Sequence, residues 1–259
     1  MAMGKTWKGI LSEIESKRGL GFLVVDPPNQ SVDTAGKLGK LAEETGFSAI
    51  AVGGSVGAQG DLLDKTIMAL KENSSLPVVL FPGNIATLSR FADAVYFMSL
   101  LNSLDPYYIS GAQIAASMPV KRMGIEVIPS SYVIVEPGRA VGWVGRAQLI
   151  PRELPYLAAA TCLAGQFMGS QLAILESGGG AESPAPPEMV AQVRQLIDIP
   201  LLVAGGVRSE AFAYATIKAG ADIVHVGSAI ERNNGDLKKT KETMASIMAG
   251  VKKGAKEKK

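Results

Sequence analysis

Short apolar runs alternate with amphipathic stretches along this chain. Strand-like runs fall at 21–25, 48–52, 78–81, 94–98, 125–128, 172–175, 201–204 and 223–226, eight in all. Several are dominated by β-branched residues, which suit a pleated, buried surface. Between them apolar positions recur at helical spacing: Val32, Ala35, Leu38 and Leu41; Leu63, Ile67 and Leu70; Met189, Val193 and Leu196. Alternation of this kind implies parallel strands joined by right-handed crossovers. Eight repeats favour closure into a (β/α)8 TIM barrel over an open sheet.

Two stretches depart from the repeat. Between Phe81 and Ala94 the chain reads Pro82, Gly83, Asn84 and then only Ile85 to Phe91, room for about two helical turns at most. The third helix is therefore expected to be short or absent, leaving a thin wall that can open a groove into the core. The simpler alternative is a short helix with no functional consequence. The second stretch, 130–151, is long for a βα loop, which usually spans about 2–6 residues. Such loops are often functional; Trp143 within it can serve packing or a subunit contact.

At 259 residues the chain suits a single barrel domain over 1–259, and its 47% hydrophobic content excludes a disordered or fibrous protein. A formal net charge of +2 gives no general electrostatic basis for binding nucleic acid. The lysine-rich end, 252–259, is expected to be a frayed, solvated tail, with weak attraction to an anionic membrane surface as the alternative. The one cysteine, Cys162, excludes an internal disulfide and reads as a small buried hydrophobe. With no signal-like N-terminal run and no apolar stretch of about 20 residues, a soluble, cytoplasmic protein is expected.

Barrel chemistry sits where strands end. The first strand ends at Asp26, the second at Gly53-Gly54-Ser55, and the sixth at Glu176-Ser177-Gly178-Gly179-Gly180; the last two end at Gly205-Gly206 and Gly227-Ser228. Glycines after the last two strands let backbone N–H groups approach an anion, and the helix N-termini beyond them add positive potential, so a phosphate site is expected there. Glu176 leaves the sixth strand beside it and can accept a hydrogen bond or a proton from a ligand hydroxyl, the alternative being a salt-bridged glutamate. Asp26 and Ser55 could share a Mg2+ ion with water and phosphate oxygens, though Asp26 reads equally as a turn residue before Pro27. The lone His225 lies within the eighth strand and reads as an interior residue; no lysine occupies a strand end, which counts against a Schiff-base aldolase.

Over nearly its whole length the chain resembles the geranylgeranylglyceryl phosphate synthase family of prenyltransferases, which has heptaprenylglyceryl phosphate synthase relatives. The likeness is carried by VVDPPNQ, VGGS, FPGN, YFMSLLNS, YVIVEPG, GWVGRAQLIPRELP, LESGGGAESP, VAGGVRS and VGSAIE. It implies transfer of a polyprenyl group from its diphosphate to a hydroxyl of sn-glycerol 1-phosphate, giving an ether lipid precursor. Mg2+ at Asp26 and Ser55 would hold the donor diphosphate. Residues Ile174, Leu175, Glu176, Ser177, Gly178, Gly179 and Gly180, with Gly205, Gly206, Gly227 and Ser228, would hold the acceptor, and Glu176 would orient or deprotonate it. The thin wall at the third helix would house the prenyl tail. The resemblance also implies a homo-oligomer, dimer or hexamer, and brief contact with a membrane surface.

The chain departs from the family pattern at three places. Ile174 stands where a tyrosine is usual, Pro28-Asn29 replaces an acid and a lysine, and SGGGA replaces a GSGA-like turn. Two other classes stay open: another phosphate-binding barrel enzyme, such as an isomerase or flavin oxidoreductase, and a degenerate barrel that binds polyprenyl phosphates without turnover.

Overall fold

The computed structural model describes residues 3–54 and 56–258. Its strands are β1 (Leu20–Val25), β2 (Ala49–Gly54), β3 (Val78–Pro82), β4 (Ala94–Leu100), β5 (Glu126–Ile134), β6 (Leu172–Glu176), β7 (Leu201–Ala204) and β8 (Ile223–Val226). They pair in parallel in chain order, and β8 returns to β1 through Leu20↔Ile223 to Leu23↔Val226, closing the barrel. The helices are α1 (Lys5–Lys17), α2 (Val32–Thr45), α3 (Gly60–Asn73), α4 (Ala112–Met123), α5 (Arg139–Val144), α6 (Pro155–Phe167), α7 (Pro187–Leu196), α8 (Glu210–Lys218), α9 (Ser228–Glu231) and α10 (Leu237–Glu257).

Side chains alternate across each strand, which is why strands buried on both faces read as continuous apolar runs. Phe22, Ala49, Ala51, Val79, Tyr96 and Ile174 fill the barrel interior, whereas Leu23, Ile50, Val52, Leu80, Val95 and Leu175 pack under the helices. Local signals start the helices. Ser31 accepts from Thr34 N–H at the head of α2, and Ser209 accepts from Phe212 N–H at the head of α8.

Helix α1 lies ahead of the repeat and seals the N-terminal end of the barrel. Trp7 and Ile10 are buried in the interior cluster with Leu20, Leu172 and Ile223. Its first turn is held by Glu126 at the start of β5, whose carboxylate accepts from Thr6 N–H at 2.8 Å and Trp7 N–H at 2.9 Å. A carboxylate there satisfies orphan donors and complements the positive end of the helix.

Residues 83–93 form turns and no helix, so the third helix is absent. Strand β5 corrects the expected boundary at 128: it runs to Ile134, so the first residues of the presumed long loop are strand. Ser130 and Ser131 broke the apolar run, but both are buried, and Ser130 Oγ donates to Ile128 O at 2.9 Å. The segment beyond β5 is stapled down by Asn102, whose side-chain amide donates to Ile134 O and Gln148 O, both at 2.8 Å, and whose oxygen accepts from Ile134 N–H at 3.0 Å.

The expectation of a frayed tail over 252–259 is corrected as far as Lys258; residue 259 lies outside the described residues. Helix α10 continues to Glu257, burying Val251, Gly254 and Ala255. Beyond it the Lys258 ammonium folds under the barrel, meeting Asp222 Oδ1 at 2.5 Å, Ala221 O at 3.0 Å and Arg18 O at 3.3 Å. Lysine richness suggested solvent, but a small-residue stripe lets the last turns of α10 lie against α8. Replacing Lys258 by Ala leaves Asp222 with Arg194 alone as its cation and should cost about 1.5–3 kcal/mol by the usual range for a hydrogen bond to a charged group. Lys256→Ala on the exposed face should change stability by less than about 0.5 kcal/mol. Urea unfolding of the two variants checks the contrast.

Candidate active site

A cavity of about 600 Å3 opens at the C-terminal ends of the strands. Glu176, Gly179, Gly180, Gly205, Gly206, Gly227 and Ser228 line one side of it, and Asp26 and Glu231 another. The expected phosphate turns and both predicted carboxylates therefore converge on one space. Ser55 lies outside the described residues.

Glu176 ends β6 on the interior face and is only 5% exposed. Gly178 N–H donates to Oε1 at 2.6 Å, and the Tyr132 hydroxyl, from β5, donates to Oε2 at 3.3 Å. Burial pushes its carboxyl up to about 7, against the pull of these two donors toward the ionised form. A carboxyl that titrates near neutrality can take a proton from a ligand hydroxyl. Its strand neighbours do not reach the cavity in the same way. Ile174 is fully buried in the interior below, and Leu175 points outward into the helix layer, so neither side chain lines the cavity wall. The Ser177 hydroxyl is buried without a hydrogen-bond partner among the described residues.

Close backbone approach explains the glycines. Gly205 has φ +76°, and a Cβ there would collide with Glu176 Oε1 and come within 2.7 Å of Gly178 N. Gly206 has φ +78°, and its Cβ would lie 2.6 Å from Pro184 N. Only glycine adopts these left-handed conformations cheaply where no side chain fits. At Gly178, φ +95°, a Cβ would lie 2.6 Å from that of Arg139, which places this arginine at the glycine turn. Sequence reasoning missed Arg139, although it directly follows Glu136-Pro137-Gly138.

Across the cavity, Asp26 stands at the end of β1 and its carboxyl is pushed up to about 7, first by burial and then by the negative charge of Glu231. Asn29 bridges the pair, donating to Glu231 Oε1 at 2.7 Å and to Asp26 Oδ2 at 3.5 Å. Glu231 was also missed; it closes the VGSAIE stretch at the end of α9. Beneath lies an aromatic floor. Phe81 meets Tyr132, Tyr96 and His225 edge-on at 5.7, 5.8 and 5.2 Å between centroids. His225 is an interior residue, as expected: Nε2 is 3.2 Å from the Tyr96 hydroxyl, and burial lowers its pKa to about 3, so the ring is neutral. Cys162 is buried on the inner face of α6 with its thiol pushed up to about 12, which fits the reading as a small hydrophobe.

From the floor the cavity extends sideways where the third helix is missing. Ile85 and Leu88 from the turns, with Ala116 and Val120 from α4, form the walls of this apolar branch.

Comparison with known proteins decides which barrel this is. Residues 13–247 match the model of the PcrB family. The chain is 49% identical over 252 residues to a geranylgeranylglyceryl phosphate synthase of Thermococcus kodakarensis, covering 97% of this chain and 99% of that one. The chain belongs to the geranylgeranylglyceryl phosphate synthase family. The wild-type synthase of Thermoplasma volcanium superposes with a TM-score of 0.89 at 37% identity, covering 94% of this chain and 97% of that one. The Thermoplasma acidophilum synthase in complex with its substrate sn-glycerol 1-phosphate gives 0.89 at 33% identity, covering 97% and 99%.

The geranylgeranylglyceryl phosphate synthase resemblance implies a magnesium ion, and the residues present fit one. Asp26 and Glu231 are hard oxygen donors that repel each other at the cavity mouth, a situation a divalent cation relieves. No group of three or more His, Cys, Asp or Glu suited to a metal occurs among the described residues, so water and ligand oxygens would complete the sphere, as magnesium prefers.

The raised carboxyl of Glu176 has a consequence for stability. A folded-state value near 7, against 4.5 for an ordinary glutamate, means its contribution is full below 4.5 and is lost as pH rises through 7. Glu176→Gln, which removes the buried charge, should therefore unfold later than the parent protein at pH 8. The gain should be on the order of 2–3 kcal/mol and shrink steadily as pH falls from 7 toward 4.5. Denaturation midpoints measured across that range test it; a gain independent of pH would refute the assignment of a buried, neutral-range carboxyl.

Proposed function

We propose that this protein joins a polyprenyl diphosphate, geranylgeranyl being the expected donor, to a hydroxyl of sn-glycerol 1-phosphate, forming a prenyl ether and releasing diphosphate. One feature supports this above all: a single cavity joins glycine turns, a buried carboxylate at their edge and an apolar branch leading away from Asp26. The relatives named as this synthase supply the substrate class.

The acceptor phosphate rests on the turns at Gly179-Gly180, Gly205-Gly206 and Gly227-Ser228, with Arg139 beside them as a cation. Its hydroxyl then faces Glu176. The carboxylate takes the hydroxyl proton as the oxygen bonds to the allylic carbon, and the allylic C–O bond breaks with its electron pair leaving on the diphosphate. Asp26, with Ser55 or Glu231, would hold a magnesium ion, which when bound would neutralise charge on the departing diphosphate. The prenyl tail lies in the side branch between Ile85, Leu88, Ala116 and Val120, where burial contributes about 25 cal/mol per Å2 of apolar surface.

Trp143 is 84% exposed and Leu104 70%, at one junction where Leu104 N–H donates to Arg146 O at 3.0 Å. An apolar surface of this kind supports a homo-oligomer, dimer or hexamer. No helix among the described residues is long and apolar enough to cross a membrane. The side branch supports brief delivery of product at a membrane surface.

Incubation with Mg2+, labelled sn-glycerol 1-phosphate and prenyl diphosphates of graded length should yield a prenyl ether with one preferred length. Chelation of the metal should abolish product, and Glu176→Ala should lower kcat about 10²–10⁴-fold, the usual worth of positioned proton transfer. Absence of product at every length, with prenyl diphosphate still bound, would leave a binding protein rather than an enzyme.

A further inference from the structure

We propose that Tyr132 is a positioning residue for the reaction: its hydroxyl fixes the orientation of the Glu176 carboxylate and favours its ionised form. This rests on the role for Glu176 proposed above. The two carboxylate oxygens are held from different directions, Oε1 by the Gly178 N–H at 2.6 Å and Oε2 by the Tyr132 hydroxyl at 3.3 Å. The backbone donor belongs to the glycine turn itself and moves with it. The phenol comes from the neighbouring strand and ties the carboxylate to the rigid barrel. Among the described residues it is the one side chain that hydrogen-bonds Glu176. The longer contact is of the kind that tightens once a ligand fills the site and excludes water.

Strand register makes the arrangement possible. Tyr132 sits opposite Ile174 and Ile134 opposite Glu176 in the β5–β6 ladder, so Tyr132 and Glu176 point into the barrel two residues apart along adjacent strands. With an isoleucine at 174, β6 offers no hydroxyl of its own at this level. The ring is held edge-on by Phe81 at 5.7 Å between centroids, and only 7% of the residue is exposed. Burial and the neighbouring Glu176 charge raise the phenol well above its ordinary value of 10.0. It therefore stays protonated and acts as a donor throughout the range in which Glu176 titrates.

The Gly178 N–H takes one lone pair of Oε1 and the phenol one of Oε2, so each oxygen keeps one for the acceptor hydroxyl, and the phenol aims the one on Oε2. Loss of the phenol removes both the aim of that lone pair and a donor that favours the charged form. The other ionisable groups on the cavity among the described residues are Asp26 and Glu231 across it, Tyr96 and neutral His225 in its floor, Tyr107 and Tyr108 ahead of α4, and Arg139 over the adjoining turn. None of them donates to Glu176.

Asp26 also titrates near 7, so a pH–rate profile alone would mix the two carboxyls. The test is infrared titration of the full-length protein without substrates, labelled with 13C-glutamate. This separates glutamate from aspartate, and the Glu176 band is the one missing from Glu176→Gln. Tyr132→Phe keeps the ring and its contact with Phe81. It should move that band's midpoint up by about one pH unit, as expected for loss of one weak hydrogen bond to a charged group. The acidic limb of kcat/KM should shift upward with it, and kcat should fall more than KM rises. Fluorotyrosine at 132, a more acidic donor, should move the midpoint down and keeps the question answerable if the Phe variant folds poorly. An unmoved midpoint in both proteins would overturn the proposal even where Glu176→Gln is inactive. Full activity of Glu176→Gln would instead remove the catalytic role on which it rests.

Discussion

Strand β8 hydrogen-bonds back to β1, and the arrangement of every group at the site depends on that closure. It places the end of the last strand beside the end of the first, so that Glu231, carried by the short helix after β8, faces Asp26 after β1. Parallel pairing in chain order delivers the turns after β6, β7 and β8 side by side, with Gly205 against the carboxylate of Glu176. An open sheet with the same strands would leave β1 and β8 at opposite edges and separate the two carboxylates by its whole width.

Closure also sets the electrostatics. A barrel interior is dry, and here its floor is aromatic: Phe81 with Tyr96, Tyr132 and a neutral His225. Above this apolar base both Asp26 and Glu176 are pushed toward neutrality, but for different reasons. Glu176 is raised by burial alone and restrained by two hydrogen-bond donors; Asp26 is raised by burial together with a second negative charge. The first environment suits a carboxyl that exchanges a proton with a ligand. The second suits one that gains from a cation.

Much of the fold was legible because barrel strands buried on both faces leave continuous apolar runs, and all eight were located. Boundaries failed where polar residues are satisfied locally: Ser130 and Ser131 looked like the end of a strand, yet β5 passes straight through them. Helix α1 went unread because it precedes the first strand, outside the repeat, although Trp7, Ile10, Leu11 and Ile14 carry helical spacing. The lysines of the last helix suggested solvent, while the glycine and alanine on its other face were the better guide. At the site, the strand ends named Asp26, Glu176 and the glycine turns. Tyr132, Arg139 and Glu231 were invisible as site residues because their importance comes from spatial neighbours: a tyrosine inside an apolar run reads as core until its hydroxyl is seen to meet a carboxylate.

The missing third helix divides the cavity into parts with different tolerance for change. The strand ends crowd backbone against backbone, where a methyl group at Gly205 or Gly206 already collides. The side branch is bounded by Ile85 and Leu88 on a stretch without helix and by Ala116 and Val120 on α4, positions that can exchange volume without disturbing a strand. The crowded and the adjustable parts of the cavity are therefore encoded by separable stretches of the chain, so substitution can reshape the one while leaving the other alone.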